Sequence, residues 1–280
     1  MQIGEACDIA RIAQHEPQCN PPQVSTENWE AVIDGIKGVG SAKILRDNMI
    51  AAKETPPSEP RELEQGWDLF ACNRNTFPYQ THHLIPEKQL PYHKITNWLT
   101  DSPKDECRNK DYKLAGDTNY DTNGARNGYF MPFASTTHQW KKKSSKKMRR
   151  LVCFEMMRRT KIQLHQGRHS KTEDHLEKPD LEGAPYKEQV AEFLGEIDVA
   201  VTTHVKDCPI CKSGKEKPYE VAPLLSTVKM IEQASQLMKT LLLSCRAVVS
   251  ERAGDYINAN WQNGRLKHPK ISYVTENDYI

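Results

Sequence analysis

The sequence predicts an α+β protein that is mostly helical. Three segments, 137–163, 186–201 and 223–249, carry apolar residues every three or four positions, which is the periodicity of amphipathic helices. Two shorter runs, 82–86 and 127–132, end at a proline and are predicted to be strands. A chain of 280 residues is long enough to bury a sizeable core and to hold one to three domains.

Composition divides the chain into three predicted regions. Residues 1–64 are acidic and helical, with Ser41 as the predicted N-cap of a second helix, and they end near a proline-rich linker at 56–60. Residues 65–205 form the predicted central domain, and residues 206–280 form a C-terminal helical region. We expect the N-terminal region to be scaffold, with a cover for the basic surface of the chain as the alternative.

The clearest predicted helix, 223–249, has a seam of apolar residues at alternating spacings of four and three, as in a coiled coil. Its members are Leu224, Val228, Ile231, Ser235, Met238, Leu242, Cys245 and Val249, and Ser235 is the one polar residue among them. Such a seam more often faces a core than a dimer partner, so we expect it to be buried. Farther along the chain, Asn263 and Gly264 predict a turn.

Several classes of protein are disfavoured by the composition. No stretch of 18 apolar residues is present, so the sequence predicts no membrane span. The first eight residues lack both a basic and an apolar stretch, so we expect no secretory signal and a cytoplasmic location in the producing cell. The eight cysteines are dispersed except for Cys208 and Cys211, which suits a reducing compartment better than a disulfide framework.

The net charge of +2 hides a concentration of positive charge at residues 141–161. This segment holds ten lysines and arginines against one acid, Glu155, a balance of +9 that leaves −7 for the remaining residues. Such a run is usually the solvated face of a helix, but beside histidine clusters it favours binding to a phosphate backbone. The predicted contacts are Lys141, Lys142, Lys143, Lys146, Lys147, Arg149, Arg150 and Arg168.

Histidines occur in two clusters that suit metal chemistry. His82 and His83 are adjacent, and successive side chains of a strand point to opposite faces, so one can hold a metal while the other acts as a base. A chance pair on an edge strand or loop is the alternative. His165 and His169 are spaced i, i+4, so on a helix both imidazoles would share one face and suit one metal ion.

A second metal-like pattern follows the predicted central helices. Cys208 and Cys211 are spaced as half of a tetrahedral zinc site, and His204 is a candidate third ligand for a structural zinc. The candidate fourth ligands are Cys72, Cys107 and His175. Two free cysteines in a turn explain the spacing equally well, so both interpretations stay open.

The order HHLIP, NGYFMP and HQGRH resembles the AHH branch of the HNH (ββα-metal) nuclease superfamily. Members of that branch are often toxin domains of bacterial polymorphic and secreted effector systems. The resemblance covers residues 79–197, which is under half of the chain. It departs from the family after the last motif, where an acidic, proline-containing stretch precedes the next tyrosine, Tyr186.

The resemblance implies a ββα-metal nuclease core embedded in additional helices. Its implied residues are His82, His165 and His169 as ligands of one divalent ion, His83 as general base, and Asn127 as a hydrogen-bonding residue that fixes the loop between the strands. The ion is left open among zinc, nickel, magnesium and manganese, and imidazole ligands suit the first two better. A structural zinc site with His83 as its fourth ligand is the alternative.

The expected function is therefore that of a metal-dependent endonuclease, with DNA favoured over RNA as the substrate. The family implies an antibacterial toxin that is delivered by a specialised secretion system and inhibited by a cognate immunity protein. The alternatives are a non-catalytic, zinc-stabilised nucleic-acid-binding module and an interaction protein built on the C-terminal helix. His83 discriminates between a nuclease and a binding module, because a binding module needs no general base.

Overall fold

The computed structural model describes residues 41–54, 79–100, 103–118, 120–132, 146–165, 184–207 and 217–270. Within these ranges the protein is α+β and mostly helical, as the sequence predicts. The α-helices are α1 (Ala42–Ala51), α2 (Lys146–Thr160), α3 (Tyr186–Asp207), α4 (Leu225–Leu243) and α5 (Glu251–Asn260). Short 3-10 helices lie at Glu87–Tyr92, Lys94–Trp98 and Ala125–Asn127. In the described ranges, every helix is too short or too polar to cross a bilayer.

The described strands are short and pair in twos. They are β1 (Tyr79–His83), β2 (Tyr112–Leu114), β3 (Gly128–Pro132), β4 (Ala184–Pro185), β5 (Tyr219–Val221), β6 (Ala247–Val248), β7 (Trp261–Gln262) and β8 (Arg265–Leu266). Strand β1 is hydrogen-bonded to β3, β2 pairs in parallel with β5, β4 pairs in parallel with β6, and β7 is antiparallel to β8. The strand predicted at 127–132 is present as β3. Of the predicted run 82–86, only His82 and His83 lie in a strand, β1, and the following three residues form a bend, so most of that prediction is wrong.

The hairpin between β7 and β8 confirms the predicted turn. Its two loop residues, Asn263 and Gly264, have φ angles of 53° and 70°. Two successive residues with positive φ are the requirement of a type I′ turn, whose twist matches that of antiparallel strands.

The described residues fall into two compact units, each assembled from three separate stretches of chain. The first unit takes its described residues from 41–52, His83–Gly128 and Val190–Met238, and the second takes them from Lys53–His82, Tyr129–Gln189 and Lys239–Ile280. The predicted boundaries at residues 64 and 205 stay predictions.

In the first unit, the segment between β1 and β3 packs around Trp98. The 3-10 helix Lys94–Trp98 buries this indole, whose Nε1 donates to Asp198 Oδ1 of α3 at 2.9 Å. Burial raises the pKa of the Asp198 carboxyl. The neighbouring side chain, Asn97, accepts a hydrogen bond from the Asn109 N–H at 2.8 Å and so holds the loop that leads into β2.

Helix α1 begins at the predicted cap and packs closely on β3. The Ser41 side chain accepts a hydrogen bond from the Ile44 N–H at 3.3 Å, which confirms its role as N-cap. On the buried face of α1, Leu45 and Met49 lie against Gly128. A Cβ atom at Gly128 would lie 2.3 Å from Met49 Sδ and 3.0 Å from Leu45 Cδ1, so this close approach requires glycine.

We predict that Gly128→Ala lowers the free energy of unfolding by about 1–3 kcal/mol, because the added methyl must displace two buried side chains of α1. Urea denaturation measures the change. Gly195→Ala is the matched control: Gly195 lies in α3, no atom lies within 4 Å of an added Cβ, and alanine should stabilise the helix by about 0.5–1 kcal/mol. Equal effects of the two substitutions would contradict the packing argument.

Helix α4 confirms the buried seam and ends earlier than predicted. The seam side chains are buried, apart from the half-buried Val228. The helix ends because Cys245 adopts a left-handed conformation with φ of 60° and the Arg246 N–H donates to Leu241 O at 2.9 Å. The chain then enters β6, so the predicted continuation of the helix to residue 249 is wrong.

In the second unit, α2 packs against α5 through aromatic side chains. The rings of Phe154 and Tyr256 meet edge to face with centroids 5.4 Å apart. The Tyr256 hydroxyl lies 2.9 Å from His268 Nδ1. Burial, assisted by the positive charge of Lys161, lowers the pKa of His268 to about 4, so the ring is neutral at neutral pH and is hydrogen-bonded to the tyrosine hydroxyl in that form.

We predict that this histidine makes stability depend on pH. Between its usual pKa of 6.5 and the folded value of about 4, the unfolded chain binds a proton that the folded protein does not bind. The free energy of unfolding should therefore fall as pH falls through this window, and His268 should contribute no pH dependence above it. His268→Gln keeps an acceptor for Tyr256 but cannot titrate, so its slope in urea denaturation between pH 4 and 6.5 should be shallower. An unchanged slope would disprove the assignment.

Candidate active site

In the second unit, two of the three predicted metal ligands lie together. His82 is 6% exposed, and its ring centroid lies 4.7 Å from that of His165, with the rings tilted by 48°. The ring of Tyr186, the first tyrosine after the third motif, has its centroid 5.1 Å from that of His82. Strand β1 therefore presents His82 to a cluster of rings that come from distant parts of the sequence.

The chain around His165 is not helical. His165 therefore does not begin the helix that was predicted to place it on one face with His169. Helix α2 ends at Thr160 instead of at residue 163, because Lys161 takes a left-handed conformation with φ of 57°. Residues 161–165 are irregular. His169 lies outside the described residues.

Hydrogen bonds from the C-terminal part of the second unit hold this irregular segment. The buried Gln163 amide donates to Leu242 O at 2.6 Å and to Ala247 O at 2.7 Å, and it accepts from the Val249 N–H at 3.1 Å. The Ser250 hydroxyl donates to Leu164 O at 2.6 Å. The next residue, His165, donates its own N–H to Pro132 O of β3 at 3.2 Å. These bonds, rather than a helix, position the His165 ring.

Gln80 contacts the ring of His165 from β1. Its side-chain amide is hydrogen-bonded to His165 Nδ1, which leaves Nε2 as the ring nitrogen that faces away from this contact. Metal-binding histidines usually make such a bond with their second nitrogen, which fixes the ring orientation. The Gln80 atom in this contact is the amide nitrogen Nε2, which donates, so His165 Nδ1 accepts and the proton of the neutral ring lies on its Nε2. A metal at that ring nitrogen would require the Gln80 amide to turn so that its oxygen faces Nδ1–H.

The spacing of the two rings fits a shared metal ion. Zinc–nitrogen distances of about 2.0–2.1 Å place the centroids of two imidazoles on one ion about 4.5–5.5 Å apart. The 4.7 Å between His82 and His165 lies in that range. In the part of the chain that the structure describes, no three His, Cys, Asp or Glu side chains gather into a ligand group. The described residues therefore supply two imidazoles of the predicted set.

In the first unit, His83 contacts a different group. Its Nε2 lies 3.1 Å from Asn123 Oδ1. Burial lowers the pKa of His83, opposed by this hydrogen bond and by the charge of Asp121. The ring is therefore held as a neutral imidazole at neutral pH, which is the form that a general base requires.

Asn127 has all four hydrogen-bonding positions of its side chain occupied. Its Oδ1 accepts from the Ile85 N–H at 2.7 Å and from the Ser235 hydroxyl at 3.0 Å. Its Nδ2 donates to Ile85 O and to Thr122 O, each at 2.9 Å. The hydrogen bonding expected of Asn127 is therefore present, and it joins the turn after β1 to the residues that precede β3. A part for Asn127 in catalysis stays a prediction.

The structure adds residues that sequence reasoning did not assign to the site. Ser235 had a usable signal, because it is the one polar member of an apolar seam. Asn123 lies in a polar turn, where asparagine is common for structural reasons alone, so its position did not mark it as a site residue. Gln80 and Gln163 gave no signal, since their partners lie 85 and 79 to 86 residues away in sequence.

The structure also changes the account of the basic segment. Glu155 is fully buried and receives hydrogen bonds from Arg158 at 2.8 Å and Arg159 at 2.7 Å. Arg150 lies 3.6 Å from Asp255 and stacks on a phenylalanine ring. Among the bases that the structure describes, Arg150, Arg158 and Arg159 thus have acidic partners, so these three do not add unopposed positive charge.

The remaining predicted contacts differ in exposure. Lys146 and Lys147 are exposed in the first turn of α2, and Arg149 is half-buried. The other predicted contacts, Lys141, Lys142, Lys143 and Arg168, lie outside the described residues. Exposed lysines at this end of α2 remain the best candidates for phosphate contacts.

The second predicted metal site is described only in part. His204 is half-buried in the last turn of α3, and Cys107 is a buried thiol whose pKa is raised by burial. Cys208 and Cys211, with the other candidate ligands Cys72 and His175, lie outside the described residues. The structural zinc site stays a prediction.

Comparisons of the chain with family models, with curated proteins and with solved structures give no match. We therefore argue function from the side chains themselves. Two clusters carry the argument: the paired rings of His82 and His165, and the hydrogen-bonded ring of His83.

We predict that Asn127→Ala lowers the free energy of unfolding by roughly 2–4 kcal/mol, because it leaves buried groups of Ile85 and Thr122 without their partners. Ser235→Ala is the matched control and should cost about 1 kcal/mol or less, since it removes one of the two bonds to Oδ1. Urea denaturation of both variants checks the order. A loss for Asn127→Ala no larger than that for Ser235→Ala would contradict it.

Proposed function

We propose that the protein is a metal-dependent endonuclease of the HNH type. The observation that carries the proposal is that two adjacent histidines have different partners. His82 packs beside a second imidazole, whereas His83 is hydrogen-bonded to an amide. A metal ligand is expected beside a second imidazole, and a general base is expected to be oriented by a hydrogen bond. A chance pair of surface histidines would require neither arrangement.

His82 and His165 are the residues that would hold the ion, with His169 as the third ligand. When bound, a divalent ion supplies a positive charge that stabilises the non-bridging oxygen and the leaving oxygen of a phosphodiester. Gln80 orients the His165 ring, and Tyr186 limits the freedom of the His82 ring. Imidazole donors suit zinc or nickel better than magnesium or manganese.

His83 acts as the general base that takes a proton from the attacking water. It must be neutral to do so, and the lowered pKa that burial gives it keeps the neutral form populated at neutral pH. Asn127 precedes β3, and its bonds to Ile85, which lies two residues beyond His83, fix the turn that follows β1. The position of His83 is thereby fixed through the backbone of the turn that follows it.

The substrate we propose is DNA, bound through its phosphates. Lys146 and Lys147 are exposed and extend the run of lysines at 141–143. The sequence has no aromatic-rich platform motif of the kind that reads single-stranded RNA. An antibacterial role, with an immunity protein as partner, follows from the family resemblance.

The test is cleavage of supercoiled plasmid by the purified protein, together with elemental analysis of bound metal. Cleavage should stop when a chelator removes the ion. His83→Ala should lower the cleavage rate by about 100-fold or more at unchanged metal content, because it removes the base and no ligand. His82→Ala and His165→Ala should lose metal and cleavage together.

His93→Ala is the matched control, because His93 is another half-buried histidine of the first unit, and it should leave both readouts unchanged. Loss of metal in His83→Ala would make His83 a ligand, as in a structural zinc site. Plasmid binding without cleavage at any metal would favour the non-catalytic binding module instead.

A further inference from the structure

The contact between His83 and Asn123 joins residues that are 40 positions apart in sequence. His83 is the last residue of β1, and Asn123 lies in the polar turn that precedes β3. The atoms in contact are His83 Nε2 and Asn123 Oδ1, at 3.1 Å. An amide oxygen can only accept a hydrogen bond, so the ring nitrogen that faces it must carry the proton.

We propose that Asn123 is a positioning residue for His83, and that its amide oxygen selects the tautomer with the proton on Nε2 and the lone pair on Nδ1. Under the proposed nuclease function, on which this inference rests, Nδ1 is then the atom that takes the proton from water. A neutral imidazole has one donor and one acceptor nitrogen, so fixing one fixes the other. The same bond sets the rotation of the ring.

Asn123 is itself held in place from two sides. It is 5% exposed, and its backbone N–H donates to Asp121 Oδ1 at 2.8 Å. Its backbone oxygen accepts from the side-chain amide of Asn48 in α1 at 2.8 Å. The Gly124 N–H closes the turn on Asp121 O at 2.9 Å. Because the backbone of Asn123 is fixed on both sides, its side chain can orient the His83 ring, which a mobile side chain could not do.

An amide suits this position better than a carboxylate would. The neighbouring base must work beside the negative charge of a phosphodiester. A neutral acceptor orients the ring without placing a second negative charge against the substrate. The nearby carboxylate of Asp121 accepts its hydrogen bond from the backbone N–H of Asn123.

The experiment measures the tautomer directly, in metal-free protein labelled with nitrogen-15 at histidine. Long-range nitrogen–proton NMR spectra distinguish a protonated Nε2 from a protonated Nδ1, and His83→Ala identifies the His83 signals. Wild type should show the Nε2-protonated form. Asn123→Leu, which has a similar shape and no acceptor, should give a mixture of tautomers, and Asn123→Asp should restore the wild-type form because it keeps an acceptor oxygen.

Thr122→Val is the matched control. It is the neighbouring buried residue, and its hydroxyl has no hydrogen-bond partner among the described residues, so the spectrum should not change. In plasmid cleavage, Asn123→Leu should lower kcat on the order of 10- to 100-fold with little change in KM, because the base is misplaced while the phosphate contacts remain.

A wild-type His83 with its proton on Nδ1, or an Asn123→Leu spectrum identical to wild type, would overturn the inference. Should Asn123→Leu fail to fold, the wild-type and Asn123→Asp spectra still decide it. Correct tautomers in a protein that cleaves no DNA would support the positioning of the ring and overturn the proposed function. Cleavage by a protein with the other tautomer would overturn only the inference.

Discussion

The first unit depends on one side-chain amide, that of Asn127. Its two donors and two acceptor positions are satisfied by Ile85, Thr122 and Ser235, so three parts of the chain meet at one buried group. Ile85 is bound through both its N–H and its carbonyl, which fixes the path of the turn after β1. Any one of these buried groups would cost about 1–3 kcal/mol if left unpaired. Gly128, the residue after Asn127, is the first residue of β3 and packs closely against α1. The hydrogen bonds of Asn127 therefore also help to fix where β3 starts.

Environment gives two adjacent histidines different chemistry. His82 is surrounded by rings and His83 by a hydrogen-bonded amide, and neither difference is written in the dipeptide itself. Tyr186 and Asn123, which contribute to these environments, are neither ligand nor base in the proposed reaction. The buried Gln163 places the segment that carries His165, by holding one backbone group in the last turn of α4 and two in the residues between α4 and α5. Position, rather than residue type, makes one imidazole a candidate ligand and its neighbour a candidate base.

Burial also redistributes the charge of the basic segment. A fully buried carboxylate is costly unless it is paired, and Glu155 is paired with Arg158 and Arg159 one turn farther along α2. Those two arginines neutralise a buried carboxylate, so counting them as free positive charges overstates the charge that a ligand would meet. Lys146 and Lys147, at the start of α2, are exposed. The electrostatic argument for phosphate binding therefore rests on the N-terminal part of the segment.

The sequence by itself determined the features that depend on residues three or four positions apart. The cap at Ser41, the buried seam of α4, the strand of NGYFMP and the turn at Asn263 follow from local periodicity and local hydrogen bonds. The sequence also marked His82, His83, His165 and Asn127 as residues of interest, and the structure brings His82 to His165. Only the tertiary structure decided where α2 and α4 end and which groups contact each histidine. Those outcomes depend on pairs such as His83 with Asn123 and Leu164 with Ser250, which are 40 and 86 residues apart. No local pattern records such pairs, because chain folding alone brings them within reach of a hydrogen bond.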